Sequence, residues 1–219
     1  MDGGNTLLRN IIFDLDGTIG DTLPLCIAAF QRSIEPLAGR TVSEEEIVAT
    51  FGPSEEGTIR KLIPDFYQQG VESYLKHYVE LHGMCRSPFP GMQEVLDAAR
   101  RKNIRLSMVT GKGARSTEIT LNQFGIRHYF ESIETGSPEG PRKAEGIANV
   151  LSQLSLPPEQ CIYVGDAPSD IAAARACGVP AIAAAWANTA DKERLLEMRP
   201  DRLFTNIPDF LAYIEEVSE

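Results

Sequence analysis

The sequence predicts an α/β fold in which a doubly wound parallel sheet is interrupted after its first strand by a helical insert. Three observations carry this. A short apolar run, Ile11-Ile12-Phe13, ends abruptly in the polar turn DLDG. A long stretch with helical periodicity and no strand-like run follows. From about residue 88 onward, apolar strands alternate with amphipathic helices, the pattern of a sheet covered on both faces. The 219 residues suffice for one domain with a modest insertion, and the 42% hydrophobic content supports a packed core.

Each element follows from its local pattern. The segment 7–15 reads as a buried strand running into a turn. Between residues 21 and 86, apolar positions recur at helical spacing, as in Tyr74, Leu75, Tyr78, Val79 and His82. Breakers stand at Gly39, Gly52-Pro53, Pro64 and Gly70. This stretch reads as about four helices. PFPGM then turns into a helix over 92–102. A strand over 104–110 leads to a helix over 114–124, and a short strand near 131–135 to a helix over 143–154. A strand over 161–166 leads to a helix over 169–177, and a strand over 179–186 to a helix over 191–198. A last strand over 202–204 precedes a terminal helix. The resulting division places a catalytic core in residues 1–19 and 89–219 and a helical domain in residues 20–88. No internal repeat or low-complexity tract is present.

Bulk properties narrow the partners. The net charge of −10 repels nucleic-acid phosphates and anionic lipid, so neither is an expected partner. No run approaches the roughly 18 apolar residues of a membrane span, and MDGGNTLLRN lacks the basic and apolar regions of a signal peptide. The four cysteines form no CxxC pair and read as reduced thiols of a cytoplasmic protein. Monomer and homodimer both remain open.

Ligands of doubly wound sheets bind beyond the carboxyl ends of the strands. The residues there are Asp14 and Asp16, then Thr110, Gly111 and Lys112, then Lys143, then Asp166 and Asp170. Asp14 and Asp16, two residues apart, can face one ligand. Adjacent carboxylates repel, and a divalent cation removes that conflict. Magnesium takes oxygen ligands and commonly binds one or two carboxylates together with a substrate phosphate. Asp166 supplies a further carboxylate, and Asp170 an acceptor for waters around the metal. Asp14 is then placed to attack phosphorus, with Asp16 as acid and base. Thr110 and Lys143 hold the phosphoryl oxygens. Backbone N–H groups at Gly111 and at the start of the next helix add donors. Gly17 lets the chain turn tightly after the two acids.

Lys112 reads as a solvated surface lysine, and Arg60 and Lys61 likewise. Trp186 reads as core or interface, and His77, His82 and His128 as structural. Gly52 is a candidate for a substrate-contacting loop.

DLDGT (14–18), VTGK (109–112), Lys143 and GDAPSD (165–170) together resemble the four motifs of the haloacid dehalogenase-like hydrolase superfamily, in order and across essentially the whole chain. The resemblance implies a Rossmann-like core, a helical cap inserted after the first motif, a magnesium ion and an aspartyl-phosphate intermediate. It implies that Asp14 is nucleophile and metal ligand, with Asp166 a second ligand. Asp16 would be the acid/base, binding metal through its carbonyl, and Thr110 and Lys143 would hold phosphate. Within the superfamily the chain is similar to phosphoglycolate phosphatases and bacterial pyrophosphatases, through FGPSEEGTIRKLIP (51–64) and the Trp186 segment. The implied activity is hydrolysis of a small phosphorylated metabolite, a phosphoglycolate-like phosphomonoester. Inorganic pyrophosphatase and sugar-phosphate phosphomutase are alternatives on the same scaffold. A phospho-accepting signalling module without turnover is a more distant one. Asp16 argues against dehalogenase chemistry. Lys61 and Lys76 lack any mark of a Schiff-base lysine, and Thr18 stands where mutases have an aliphatic residue. Ala144 replaces the proline usual after the motif-three lysine, so Arg142 is a candidate to share the role of Lys143.

Overall fold

The computed structural model describes residues 7–217. Strand β1 (Asn10–Phe13) is followed by helices α1 (Leu23–Ala38), α2 (Glu44–Val48), α3 (Glu55–Leu62), α4 (Tyr67–Leu81) and α5 (Met92–Arg101). Then come β2 (Arg105–Val109), α6 (Ala114–Phe124), β3 (Ser132–Glu134), α7 (Lys143–Leu154), β4 (Cys161–Gly165) and α8 (Pro168–Ala176). The chain closes with β5 (Ala181–Ala184), α9 (Lys192–Glu197), β6 (Arg202–Phe204) and α10 (Ile207–Glu216).

The strands form one parallel sheet in the order β3-β2-β1-β4-β5-β6. The predicted α/β class is thus observed. The chain builds outward from β1 to β3, then returns to pair β4 on the other side of β1. This reversal opens the crevice where ligands of such sheets bind.

Side chains alternate across each strand, and both faces are buried. Ile11, Phe13, Leu106, Met108, Ile162 and Val164 face α5, α6 and α10. Ile12, Val109, Tyr163, Ala181 and Ala183 face α7, α8 and α9. Strand β5 is shorter than the predicted 179–186. Pro180 has no N–H to give a ladder, and Val179 N–H bonds instead to the Ala174 carbonyl of the preceding turn.

Between β1 and α5 the chain is helical, as its periodicity predicts. Helices α1 and α4 pack through aromatic rings, with Phe30 and Tyr74 centroids 4.5 Å apart. Gly39 ends α1 in the left-handed conformation. A capping box between Ser43 and Glu46 starts α2. No helix among the described residues is long and apolar enough to cross a membrane. All four cysteines are free.

Candidate active site

The sheet crevice is occupied by acids. Asp14 follows β1 directly, and its N–H bonds to the Val164 carbonyl of β4 at 2.9 Å. Its carboxylate is buried, accepting from Lys143 Nζ at 2.8 Å through Oδ2. Lys143, the first residue of α7, also donates to Asp170 Oδ1 at 2.5 Å. Asp170 is itself fixed by the Tyr163 hydroxyl at 3.0 Å and the Ala167 N–H at 2.9 Å. Asp166, just beyond β4, accepts from Thr18 Oγ1 at 3.1 Å.

Gly17 makes this packing possible. Its φ of +75° is left-handed, and a Cβ placed there would lie 2.1 Å from Asp166 Oδ2. The loop is held from outside by Trp186, whose Nε1 donates to the Thr18 carbonyl at 3.0 Å while its ring packs on Phe210.

The charges do not balance. Asp14, Asp166 and Asp170 each offer a carboxylate oxygen within 4.8 Å of the others, and Lys143 is the ammonium among them. Burial drives Asp14 from its ordinary 3.8 up to about 6, Lys143 pulling it down and Asp170 pushing it up. Burial, then Asp14 and Asp170, raise Asp166 well above the carboxylate range. Burial works against the charge on Lys143, but Asp14 and Asp170 outweigh it and raise its pKa. Asp14 Oδ1 is buried with no hydrogen-bond partner. An unpartnered carboxylate oxygen inside an acid cluster is what a bound cation would satisfy. The donor set, all oxygen, fits a hard divalent ion.

Asp16 lies apart from this cluster. The strand ends at Phe13, so strand alternation no longer governs its direction. Its carboxylate accepts from Thr22 Oγ1 and from Lys112 Nζ at 3.2 Å. Asp14 and Asp16 nevertheless border one cavity of about 710 Å³, which Gly17, Gly52, Thr110, Gly111, Lys143 and Asp166 also line. Thr110 is buried at the end of β2, its Oγ1 accepting from the Lys112 N–H at 3.2 Å. Gly52 borders the cavity opposite Pro141, with φ +132°.

Three expectations need correction. Lys112 is not a solvated lysine: it is 4% exposed. Its Nζ lies 3.2 Å from Asp16 Oδ1, 3.4 Å from Glu55 Oε1 and 3.1 Å from Cys26 Sγ, and 4.5 Å above the Tyr78 ring. Burial disfavours its charge, but the surroundings, Asp16 foremost, favour it and raise its pKa well above the ordinary lysine value. Second, the Gly113 N–H at the entry to α6 is not free for a phosphate, because it donates to Glu55 Oε2 at 2.5 Å. Third, Arg142 borders the same cavity as Asp14, but its ion pairs are made elsewhere. It pairs with Glu145 at 2.8 Å and Glu134 at 3.5 Å, leaving Lys143 as the cation on Asp14.

Glu55 was missed. It is 9% exposed and also accepts from Ser116 Oγ. In the sequence Ser54-Glu55-Glu56 reads as a solvated first helical turn, which conceals it. Arg60 and Lys61 are exposed as expected. His82 is structural, bonding Cys85 O at 2.8 Å and Thr120 Oγ1 at 3.1 Å.

An acid cluster at the switch point of a doubly wound sheet, bridged by a lysine from the next helix, defines a hydrolase class that sequence comparison identifies. The pattern of the haloacid dehalogenase-like hydrolases matches residues 11–184, and the chain belongs to that family. It is 28% identical over 209 residues to the pyrophosphatase PpaX of Bacillus pumilus, covering 94% of this chain and 96% of that one. It is 26% identical over 206 residues to a phosphoglycolate phosphatase of Aquifex aeolicus, covering 93% and 91%. Its structure is similar to that of a haloacid dehalogenase-like family hydrolase of Streptococcus pneumoniae, with a TM-score of 0.77 at 28% identity, covering 94% and 98% of the two chains.

Proposed function

We propose that the protein is a magnesium-dependent phosphatase that hydrolyses a small phosphorylated metabolite through a phosphorylated Asp14. The observation that carries this is the state of Asp14: buried, held at one oxygen by Lys143, with the other oxygen unpartnered beside Asp166. Asp14 and Asp166 would hold the ion together with the Asp16 carbonyl, and Asp170 would stand behind them. When bound, magnesium supplies positive charge that lets a dianionic phosphate approach a carboxylate.

The chain's own groups supply the rest. Asp14 attacks phosphorus, forming the Asp14–phosphorus bond as the bond to the leaving oxygen breaks. Asp16 gives that oxygen a proton, then takes one from the water that cleaves the acyl phosphate. Lys143 and Thr110 hold the phosphoryl oxygens, and Gly111 lets the backbone approach them. Asp170 and Tyr163 keep Lys143 aimed. Lys112 keeps the Asp16 carboxylate facing the cavity.

We assign residues 20–88 as a cap over a core of residues 1–19 and 89–219, of which 1–6, 218 and 219 lie outside the described residues, because residues of both segments wall the cavity. Closure of the cap would exclude bulk water from the acyl phosphate. The name of the Bacillus pumilus relative supports a second reading, in which the leaving group is itself phosphate.

Phosphate release from a panel of phosphomonoesters and pyrophosphate, with magnesium, tests the proposal. Turnover is expected from wild type and none from Asp14→Asn. Mass spectrometry of a rapidly quenched reaction should find phosphate on Asp14. Equal rates in both proteins would refute the assignment, and a stable phospho-Asp14 without turnover would favour a signalling module.

A further inference from the structure

The cavity's two ends differ in chemistry. Resting on the phosphatase reading above, we infer that the leaving group is uncharged and apolar, unlike glycolate or phosphate. Away from the acid cluster the wall is formed by Leu23, Phe30, Val48, Phe51 and Pro53, with the Cys26 thiol beside them. Burial pushes that thiol up to about 12, so it brings no charge. Phe51 and Val48 are 40% and 42% exposed, large apolar side chains left open at the mouth of this space. Phe51 packs only loosely against Phe30, with centroids 6.2 Å apart.

Charged groups do reach this part of the wall, but each is already matched. Glu55 is engaged by Gly113 N–H, Ser116 and Lys112. Lys112 is engaged by Asp16. Arg142 is engaged by Glu145 and Glu134. The two α3 cations turn elsewhere, Arg60 over the Tyr67 ring and Lys61 onto the Thr50 carbonyl at 3.2 Å.

A carboxylate or a second phosphate seated here would be stripped of water with no free cation among the described residues of the wall to replace it. An alkyl or aryl group would instead lose water against a matching surface. Size points the same way. At about 710 Å³ the cavity has room for such a group beyond its phosphoryl end.

The test measures kcat/KM for phosphate release from n-alkyl phosphates, ethyl to hexyl, beside phosphoglycolate and pyrophosphate, with magnesium. The alkyl series should climb about fourfold per methylene, roughly two orders of magnitude from ethyl to hexyl. Hexyl phosphate should exceed phosphoglycolate by about tenfold or more. Binding of non-hydrolysable n-alkylphosphonates, followed by calorimetry, should rise in the same order without turnover. Phe51→Arg, at an exposed position, should narrow or reverse the preference for hexyl phosphate over phosphoglycolate. Val48→Lys provides the same change from a second element. A flat alkyl series, or phosphoglycolate or pyrophosphate as the best substrate, would overturn the leaving-group inference and leave the phosphatase reading intact. Phosphate release from no substrate in the panel would overturn that reading and this inference with it.

Discussion

Replacing Asp14 with asparagine should abolish turnover and, in the metal-free protein, increase stability. The magnitude follows from the burial of the carboxylate. Its pKa rises from 3.8 in the unfolded chain to about 6 in the fold, with burial the main cause. At roughly 1.4 kcal/mol per pH unit this is a destabilisation of about 3 kcal/mol when Asp14 is charged in both states. The sign follows the protons. Below pH 3.8 both states hold the proton and no penalty exists. Between 3.8 and 6 the unfolded chain ionises first, so stability falls as pH rises, and above 6 the whole penalty is present. Asparagine keeps the shape, does not ionise, and leaves Lys143 its bond to Asp170 at 2.5 Å. Urea titrations in chelator should therefore show Asp14→Asn more stable by up to about 3 kcal/mol at pH 8, with the difference closing toward pH 4. Magnesium should stabilise wild type at pH 8 and stabilise the variant much less. A variant less stable than wild type in chelator at pH 8 would refute the view that Asp14 is an uncompensated buried charge.

Two further predictions rest on packing. Gly17→Ala places a methyl 2.1 Å from Asp166 Oδ2 on a backbone at φ +75°. The carboxylate must shift by roughly 1 Å, a misplacement that can cost about 10²-fold in rate, so kcat/KM should fall about that far and magnesium affinity with it; activity within threefold of wild type would sink the argument. Glu55→Ala removes the acceptor that α3 presents to Gly113 N–H and Ser116. Hydrogen bonds to a charged acceptor contribute about 1.5–3 kcal/mol, so amide exchange in residues 52–62 and 113–117 should quicken at least about tenfold, and unchanged exchange there would show that Glu55 does not hold the two segments together.

The parts of this protein legible in its sequence are those where local chemistry and tertiary role agree. Ile11, Ile12 and Phe13 are apolar without a break because both faces of β1 are covered. The helices 114–124 and 143–154 match α6 and α7 because their amphipathic faces pack on the sheet. Asp14, Thr110, Lys143 and Asp166 could be placed because strand ends converge at a switch point whatever the detail of the loops. Lys112 and Glu55 were illegible for the opposite reason. A lysine and a glutamate default to solvent unless each meets the other. That meeting depends on the end of β2, the start of α3 and the ring of Tyr78 arriving together. No periodicity encodes such a coincidence. Asp170 is intermediate. Its motif was visible, but its partners Lys143 and Tyr163 come from α7 and β4, so only the fold shows that it accepts from the lysine.

The buried lysines explain one another. Both are surrounded by acids, yet the two neighbourhoods end in different balance. Around Lys112 the carboxylates of Asp16 and Glu55 share one ammonium, and every one of those acids has further donors in Thr22, Ser116 or Gly113. Around Lys143 three carboxylates share one ammonium, and an oxygen of Asp14 is left with nothing. A buried charge without a partner is tolerated only where a ligand supplies one. The first neighbourhood is therefore complete as folded and acts as a rigid strut between α3 and α6, holding Asp16 in place. The second is incomplete as folded, and its deficit has the sign and the donor type of a divalent cation. The cavity runs from this incomplete end to an apolar wall. A substrate that brings a dianion to one end and hydrocarbon to the other meets both demands, whereas one charged at both ends meets only the first.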